Sequence, residues 1–244
     1  MTSLRHAHTA RPPAIAGEYG IAVVGGAPGS RVVLTLGTWK TGPAWSTIKV
    51  PLVEAVLRST GGTATTADMR QALTVSDNAA ASRLWQTLGS GTKAAGRVDA
   101  VLAAHENQNV RTQPFVTRAG FSAEGQTQWT LGDQATFAAA LPCAHDPADG
   151  PVLDLLGHID PSQQWGAGRW PGARFKGGWG PSPTGAYVAR QLALLPHAGG
   201  WTAVALAAVA RDGSFVSATQ ALDDLERWLA THTAELPLAS CDKQ

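Results

Sequence analysis

Ala44-Trp45-Ser46-Thr47-Ile48-Lys49-Val50-Pro51-Leu52 sets a hydroxyl and an amine three positions apart. On a helix, positions i and i+3 share a face. The run that follows, Val50, Leu52, Val53, Ala55, Val56 and Leu57, is apolar nearly all round, with Glu54 as its one charge. Such a helix is expected to be central, which buries Lys49. Burial strips water from the ammonium and favours the neutral amine, the form that takes a proton from a serine hydroxyl. Ser46 and Lys49 therefore read as a nucleophile and its base. The plainer alternative is that Ser46 caps the helix and Lys49 extends its amine to water. Pro51 has no N–H to offer the carbonyl of Thr47, so the first turn is expected to be irregular.

Ser76-Asp77-Asn78 precedes Ala79-Ala80-Ala81-Ser82-Arg83-Leu84-Trp85, a strong helix former. Ser, Asp and Asn are also preferred helix caps, which supplies a structural reading of the same residues. Phe175-Lys176-Gly177-Gly178-Trp179-Gly180 falls on an expected strand. Glycine inside a strand marks a place where another backbone or a ligand approaches closely, and Lys176 would bring positive charge there. A glycine-rich turn is the alternative.

Taken in order, Ser46-Thr47-Ile48-Lys49, Ser76-Asp77-Asn78 and Lys176-Gly177-Gly178 resemble the S-x-x-K, S-D-N and K-T-G elements of class A β-lactamases and penicillin-binding proteins. The resemblance runs from about Ile21 to His232. It implies Ser46 as nucleophile, Lys49 as base and Ser76 as the relay that protonates the leaving group. Asn78 would hydrogen-bond the substrate amide. Lys176 would hold the electrostatics around Ser76 and attract a substrate carboxylate, with Gly177, Gly178 and Trp179 forming the substrate-binding strand. The backbone N–H groups of Ser46 and Trp179 would make the oxyanion hole. The implied product is an acyl-enzyme on Ser46, formed from an amide, β-lactam or ester without cofactor or metal. The implied partner is a small molecule or peptide, β-lactam or peptidoglycan-like.

Three departures qualify what the resemblance implies. Gly177 replaces the hydroxyl residue that family members use for the substrate carboxylate. The segment between Lys49 and Ser76 is shorter than in class A enzymes, implying a more open cleft. No E-x-x-L-N element supplies the glutamate that activates the deacylating water. Between Ser76 and Lys176 the glutamates are Glu106 and Glu124. Glu106-Asn107-Gln108-Asn109 is a partial echo and Glu124 has none, so neither is assigned and slow turnover is expected. Two further readings stand beside the enzyme: a weakly active or inactive binding protein of the same fold, and an S-x-x-K esterase. In those esterases a tyrosine commonly takes the place of the second serine. The tyrosines of this chain are Tyr19 and Tyr187, neither between Ser46 and Lys176.

The elements that must position these residues follow from patterning. Stretches 21–26 and 31–39 read as strands joined by a turn at 27–30. Helical patterns follow at 45–59, 66–73, 77–88, 93–104 and 131–141. Strands are expected again at 173–180, 185–195 and 201–211, then an amphipathic helix at 215–232 carrying Leu222, Leu225, Trp228 and Leu229 at helical spacing. The fold class is therefore α/β (α+β): an antiparallel sheet built from both chain ends, with flanking helices and an inserted all-helical lobe. The expected organisation is one catalytic unit. Residues 1–18 are a tail, 19–43 and 171–234 the sheet lobe, 44–170 the helical lobe, and 235–244 a second tail. Stretch 106–130 is too long for an ordinary connection and is expected to be a functional loop lining a cleft.

Bulk properties exclude other classes. At 244 residues and 44% hydrophobic, the chain can bury one substantial core. Net charge is +1 with Lys and Arg scattered, which offers no footprint for nucleic acid or anionic lipid. No apolar run reaches the roughly 18 residues of a membrane span. Residues 1–17 lack the apolar centre of a secretory leader, so the expectation is a cytoplasmic protein, or an extracytoplasmic one if a leader has been trimmed. Cys143 and Cys241 either form one bridge or remain two thiols. The seven histidines are dispersed, with only His6 and His8 close together in a segment expected to be mobile, so no zinc site is expected.

Overall fold

The computed structural model describes residues 1–143 and 146–241. Its centre is a five-stranded antiparallel sheet, in the order β2-β1-β7-β6-β5. β1 (Gly17–Gly25) and β2 (Val32–Gly37) form the opening hairpin, and β5 (Arg174–Pro181), β6 (Tyr187–His197) and β7 (Gly200–Ala210) come from the far end of the chain. The two ends meet where β1 pairs with β7, from Gly17↔Ala210 to Val24↔Ala203. β6 and β7 are near-continuous runs of Ala, Val and Leu, buried on both faces. Strands covered on both sides read this way, without polar alternation.

One cover is α8 (Phe215–Thr231), which turns Ala218, Ala221, Leu222, Leu225, Trp228 and Leu229 onto the sheet. The other is α6 (Leu131–Ala140), whose small side chains let it lie close against β1 and β7. The helical part is α2 (Lys49–Thr60), α3 (Ala67–Thr74), α4 (Asn78–Thr87), α5 (Gly91–Ala104) and α7 (Asp149–Leu156), with α2 packed against each of the other four. Every residue of α2 from Lys49 to Leu57 is buried, as its all-round apolar pattern requires. A small ribbon of β3 (Thr41–Pro43) and β4 (Gln128–Thr130) joins the start of this helical part to its long loop.

Three expectations are corrected. The N-terminal segment is not a loose tail: it forms α1 (Thr2–Ala10), with Leu4 buried. His8 Nε2 lies 2.8 Å from the Tyr19 hydroxyl, and Trp228 Nε1 donates to Arg11 O at 2.9 Å. These tertiary anchors override a weak local pattern. α7 was not expected, because Gly150 and Pro151 obscure its start; proline is tolerated in a first helical turn, where its missing N–H has no intrahelical partner. The C-terminal segment is tied down as well. Ala239 bridges both Gly26 and Trp201, and Cys143 pairs with Cys241, which settles the open question about the thiols.

Candidate active site

Ser46 sits on a 3-10 turn, Trp45–Ile48, immediately before α2. The missing N–H of Pro51 accounts for the irregular start. The turn is fixed from below by a buried polar chain. Thr47 Oγ1 donates to Ala44 O at 2.6 Å and accepts from Gln134 Nε2 at 2.7 Å. Gln134 Oε1 accepts from Arg190 Nη2 at 2.8 Å. Arg190, wholly buried on β6, also donates to the carbonyls of Gly42, Pro43 and Trp129, so one guanidinium pins the small ribbon and the turn together. Burial pulls its pKa down to about 9. Trp45 has φ +50°, a backbone state that costs a bulky residue of order 1–3 kcal/mol and is held only by such surroundings.

β5 presses against this turn. A side chain at Gly178 would place its Cβ 2.8 Å from Ser46 N, 2.9 Å from Thr47 N and 3.0 Å from Ala44 O. Only glycine allows that approach, which explains one glycine of the strand motif. Ser46 itself is half-buried.

The Ser76-Asp77-Asn78 segment meets the turn from the other side. Asp77 does cap α4, accepting from Ala80 N at 2.6 Å, so the capping reading and the site reading are both satisfied. Ser76 has φ +60°. Lys49 Nζ donates to Ser76 O at 2.6 Å and Asn78 Oδ1 at 2.7 Å, with longer contacts to Asp77 O at 3.3 Å and Ser76 Oγ at 3.4 Å. Lys176 Nζ donates to the same Ser76 Oγ at 3.0 Å and to Gly177 O at 3.0 Å. Lys49, Ser76, Asn78 and Lys176 are thus joined in one hydrogen-bonded cluster, and Ser46 lies on the turn that leads into Lys49 and packs against β5 at Gly178. Among the described residues the Ser46 hydroxyl is bonded by neither Lys49 nor Ser76, since the Lys49 ammonium is turned toward the carbonyls of the Ser76 turn. Such bonds tighten when substrate is bound.

The electrostatics favour proton transfer. Burial lowers the Lys49 pKa to about 8, against the opposing attraction of Glu124 and Asp77. Burial pushes Lys176 well below the ordinary lysine value, and the nearby Lys49 charge adds to this.

One glutamate that the sequence left unassigned lies within electrostatic reach of this cluster. Glu124 is buried on a 3-10 turn, Glu124–Gln126, and feels the charge of Lys49. The next residue, Gly125, lies against the turn bearing Ser46: a Cβ there would be 3.8 Å from Trp45 O. Burial raises the Glu124 carboxyl, while its own backbone N–H, the Ser122 hydroxyl and Lys49 draw it down. Gln126 organises the surrounding loop, accepting from Thr117 Oγ1 at 2.6 Å and Arg118 N at 2.7 Å. Glu106, the partial echo, is elsewhere, paired with Arg31 at 2.8 Å.

No protein-family model matches the chain, and no curated protein matches it by sequence. Solved structures do match in shape. A β-lactamase from Sphaerobacter thermophilus DSM 20745 is 21% identical with a TM-score of 0.65, covering 96% of this chain and 97% of that one. An ancestral class A β-lactamase is 16% identical with a TM-score of 0.65, covering 95% and 98%. The class A β-lactamase of Mycobacterium abscessus is 16% identical with a TM-score of 0.64, covering 94% and 98%. With its antiparallel sheet closed by both chain ends and its inserted helices, this chain has the fold of the serine β-lactamases and penicillin-binding proteins.

Proposed function

We propose that the chain is a serine acyl hydrolase that forms an acyl-enzyme on Ser46 with amide, β-lactam or ester substrates. One observation carries this reading: two buried amines converge on the Ser76 hydroxyl, and one of them, Lys49, belongs to the turn that follows Ser46 and has a pKa near 8. Ser46 Oγ bonds to the substrate carbonyl carbon as its proton passes to Lys49 Nζ. The oxyanion forms against the N–H groups of Ser46 and Trp179. The bond to the leaving group then breaks, and Ser76 hands that group a proton which Lys49 replaces. In the second half, Glu124 takes a proton from water, the hydroxide bonds to the acyl carbon, the bond to Ser46 Oγ breaks, and the proton held by Glu124 is returned to Ser46 Oγ. Glu124 thereby fills the role for which the sequence offered no element.

Incubation with a panel of β-lactams and a fluorophosphonate, followed by intact-protein mass, tests the proposal. The expected result is one covalent adduct, mapped to Ser46 and absent in Ser46→Ala. No adduct with any probe, or an adduct that persists in Ser46→Ala, rules it out.

A further inference from the structure

The strand register builds a second cavity beside the Ser46 turn. Gly180, Val188, Val209 and Glu18 are direct partners across β5, β6, β7 and β1, so they form one row on a single face of the sheet. Val188 and Val209 give that row an apolar middle. Two indoles stand over it. A Cβ at Gly180 would lie 2.6 Å from Trp45 Cε2, and a Cβ at Gly42 would lie 2.6 Å from Trp39 Cζ2. Each ring thus lies against a strand where only glycine leaves room. The space left between these rings, β3 and the row is about 540 Å³, within the range of small-molecule sites. Ser46, Lys49, Ser76, Asn78 and Lys176 take no part in its lining, although Trp45 is the immediate neighbour of Ser46.

One cation reaches this cavity with no acid to meet it. Arg118 stands in the wall, donates to the carbonyls of Pro181 and Ser182, and lies over the Phe121 ring. Among the described residues it makes no ion pair. A guanidinium has five N–H groups, so those two bonds leave three. The acid in the lining, Glu18, is exposed at the β1 end of the row, three strand spacings or about 14 Å from Gly180. The wall therefore offers apolar surface along its middle and uncompensated positive charge at the β5 end.

We infer that this cavity is a second binding site, separate from the Ser46 cluster, for a small carboxylate with an apolar or aromatic body. The carboxylate accepts from the remaining N–H groups of Arg118, a charge-assisted pairing for which the planar guanidinium is suited. The body packs on Val188, Val209 and the two indoles. The site stands on its own geometry and does not depend on the chemistry proposed for Ser46.

Isothermal titration calorimetry on the full chain compares 3-phenylpropanoate with 3-phenylpropanamide, which has the same body without the charge. The carboxylate is expected to bind at least about tenfold tighter, the scale of a hydrogen bond to a charged group. Arg118→Lys keeps the charge and should keep most of that preference, whereas Arg118→Gln should remove it. A loosened loop would weaken both ligands alike, so the ratio of affinities reads the charge. Thr184→Trp, at an exposed position of the lining, is expected to weaken both ligands at least about fivefold, and Ser46→Ala to weaken neither. Equal affinity for the two ligands, no saturable heat with either up to about 10 mM, or a preference that persists in Arg118→Gln overturns the inference. Binding that falls in Ser46→Ala but not in Thr184→Trp would place the ligand at the Ser46 cluster and overturn it as well, whether or not Ser46 is ever acylated.

Discussion

Lys176 Nζ donates to Ser76 Oγ at 3.0 Å across 100 positions of sequence, joining the edge strand to the start of α4. Lys49 reaches the same hydroxyl from the other side at 3.4 Å. The Ser76 proton is therefore bracketed by two amines whose charged forms are disfavoured by burial. Replacing Lys176 with Ala removes one bracket and is expected to slow acylation of Ser46 by roughly 10²–10³-fold, within the range of a positioned acid or base. Fluorophosphonate labelling rates check this, with far-ultraviolet circular dichroism to show that the fold is kept. A rate within threefold of wild type would remove Lys176 from the relay.

The pKa of Lys49, near 8, sets a pH profile. If Lys49 is the base, its neutral form does the work, so acylation is expected to rise as pH climbs toward 8 and to level off above it. Lys49→Met should lower the rate at least about 10²-fold and abolish the rise. Second-order labelling rates from pH 6 to 10 test both points. A profile that is flat through pH 8 would assign the base elsewhere.

Glu124→Gln separates the two halves of the reaction. If Glu124 activates the deacylating water, the variant should acylate at close to the wild-type rate and then hydrolyse the acyl-enzyme about 10²–10⁴-fold more slowly, so that the adduct accumulates in intact mass. Glu106→Gln, which removes only the partner of Arg31, should leave turnover unchanged. Accumulation in neither variant would mean that Lys49 or Ser76 activates the water.

Legibility of the site tracked sequence distance. Ser46 and Lys49 are near neighbours on one turn, so their proximity could be read locally, whereas the approach of Lys176 to Ser76 was expected only from the order of the three motifs. Glu124 was not legible. The charge of Lys49 reaches it through a loop folded by the side chain of Gln126, and no spacing announces such a fold. The sheet built from both chain ends was readable from strand patterns. α1 and the Cys143–Cys241 link were not, since each depends on tertiary partners: Tyr19 and Trp228 for the helix, and the bridge of Ala239 to Gly26 and Trp201 for the tail.

That link yields a stability prediction. Cys143 and Cys241 are 98 positions apart, so the bridge closes a long loop in the unfolded chain. Cys241→Ser is expected to cost about 2–4 kcal/mol of folding stability in denaturant melts. Ser46 labelling at 25 °C should be unaffected, because the tail packs on Gly26 and Trp201 rather than on the Ser46 turn. A loss below 0.5 kcal/mol, on the order of an ordinary surface substitution, would show that the tail is held by its other contacts.

The last prediction concerns a buried cluster at α2. Glu54, on α2, lies 2.7 Å from His105 Nε2 and 2.6 Å from Arg58 Nη2, and Asp149 approaches His105 at 3.7 Å and Arg58 at 3.9 Å. Burial, and then the Glu54 charge, push the Asp149 pKa up to about 7, against the pull of His105 and Arg58. The folded state therefore holds a proton that the unfolded chain releases near pH 4. Below that pH the bound proton contributes its full stabilisation, and the contribution is lost as pH rises toward 7. Asp149→Asn keeps the shape without the titration. Its stability relative to wild type should increase from pH 4 to pH 7 and then hold constant, measured as the difference in urea midpoints. A difference that does not change across that window would show that Asp149 is ionised in the folded protein and that Arg58 carries the pair.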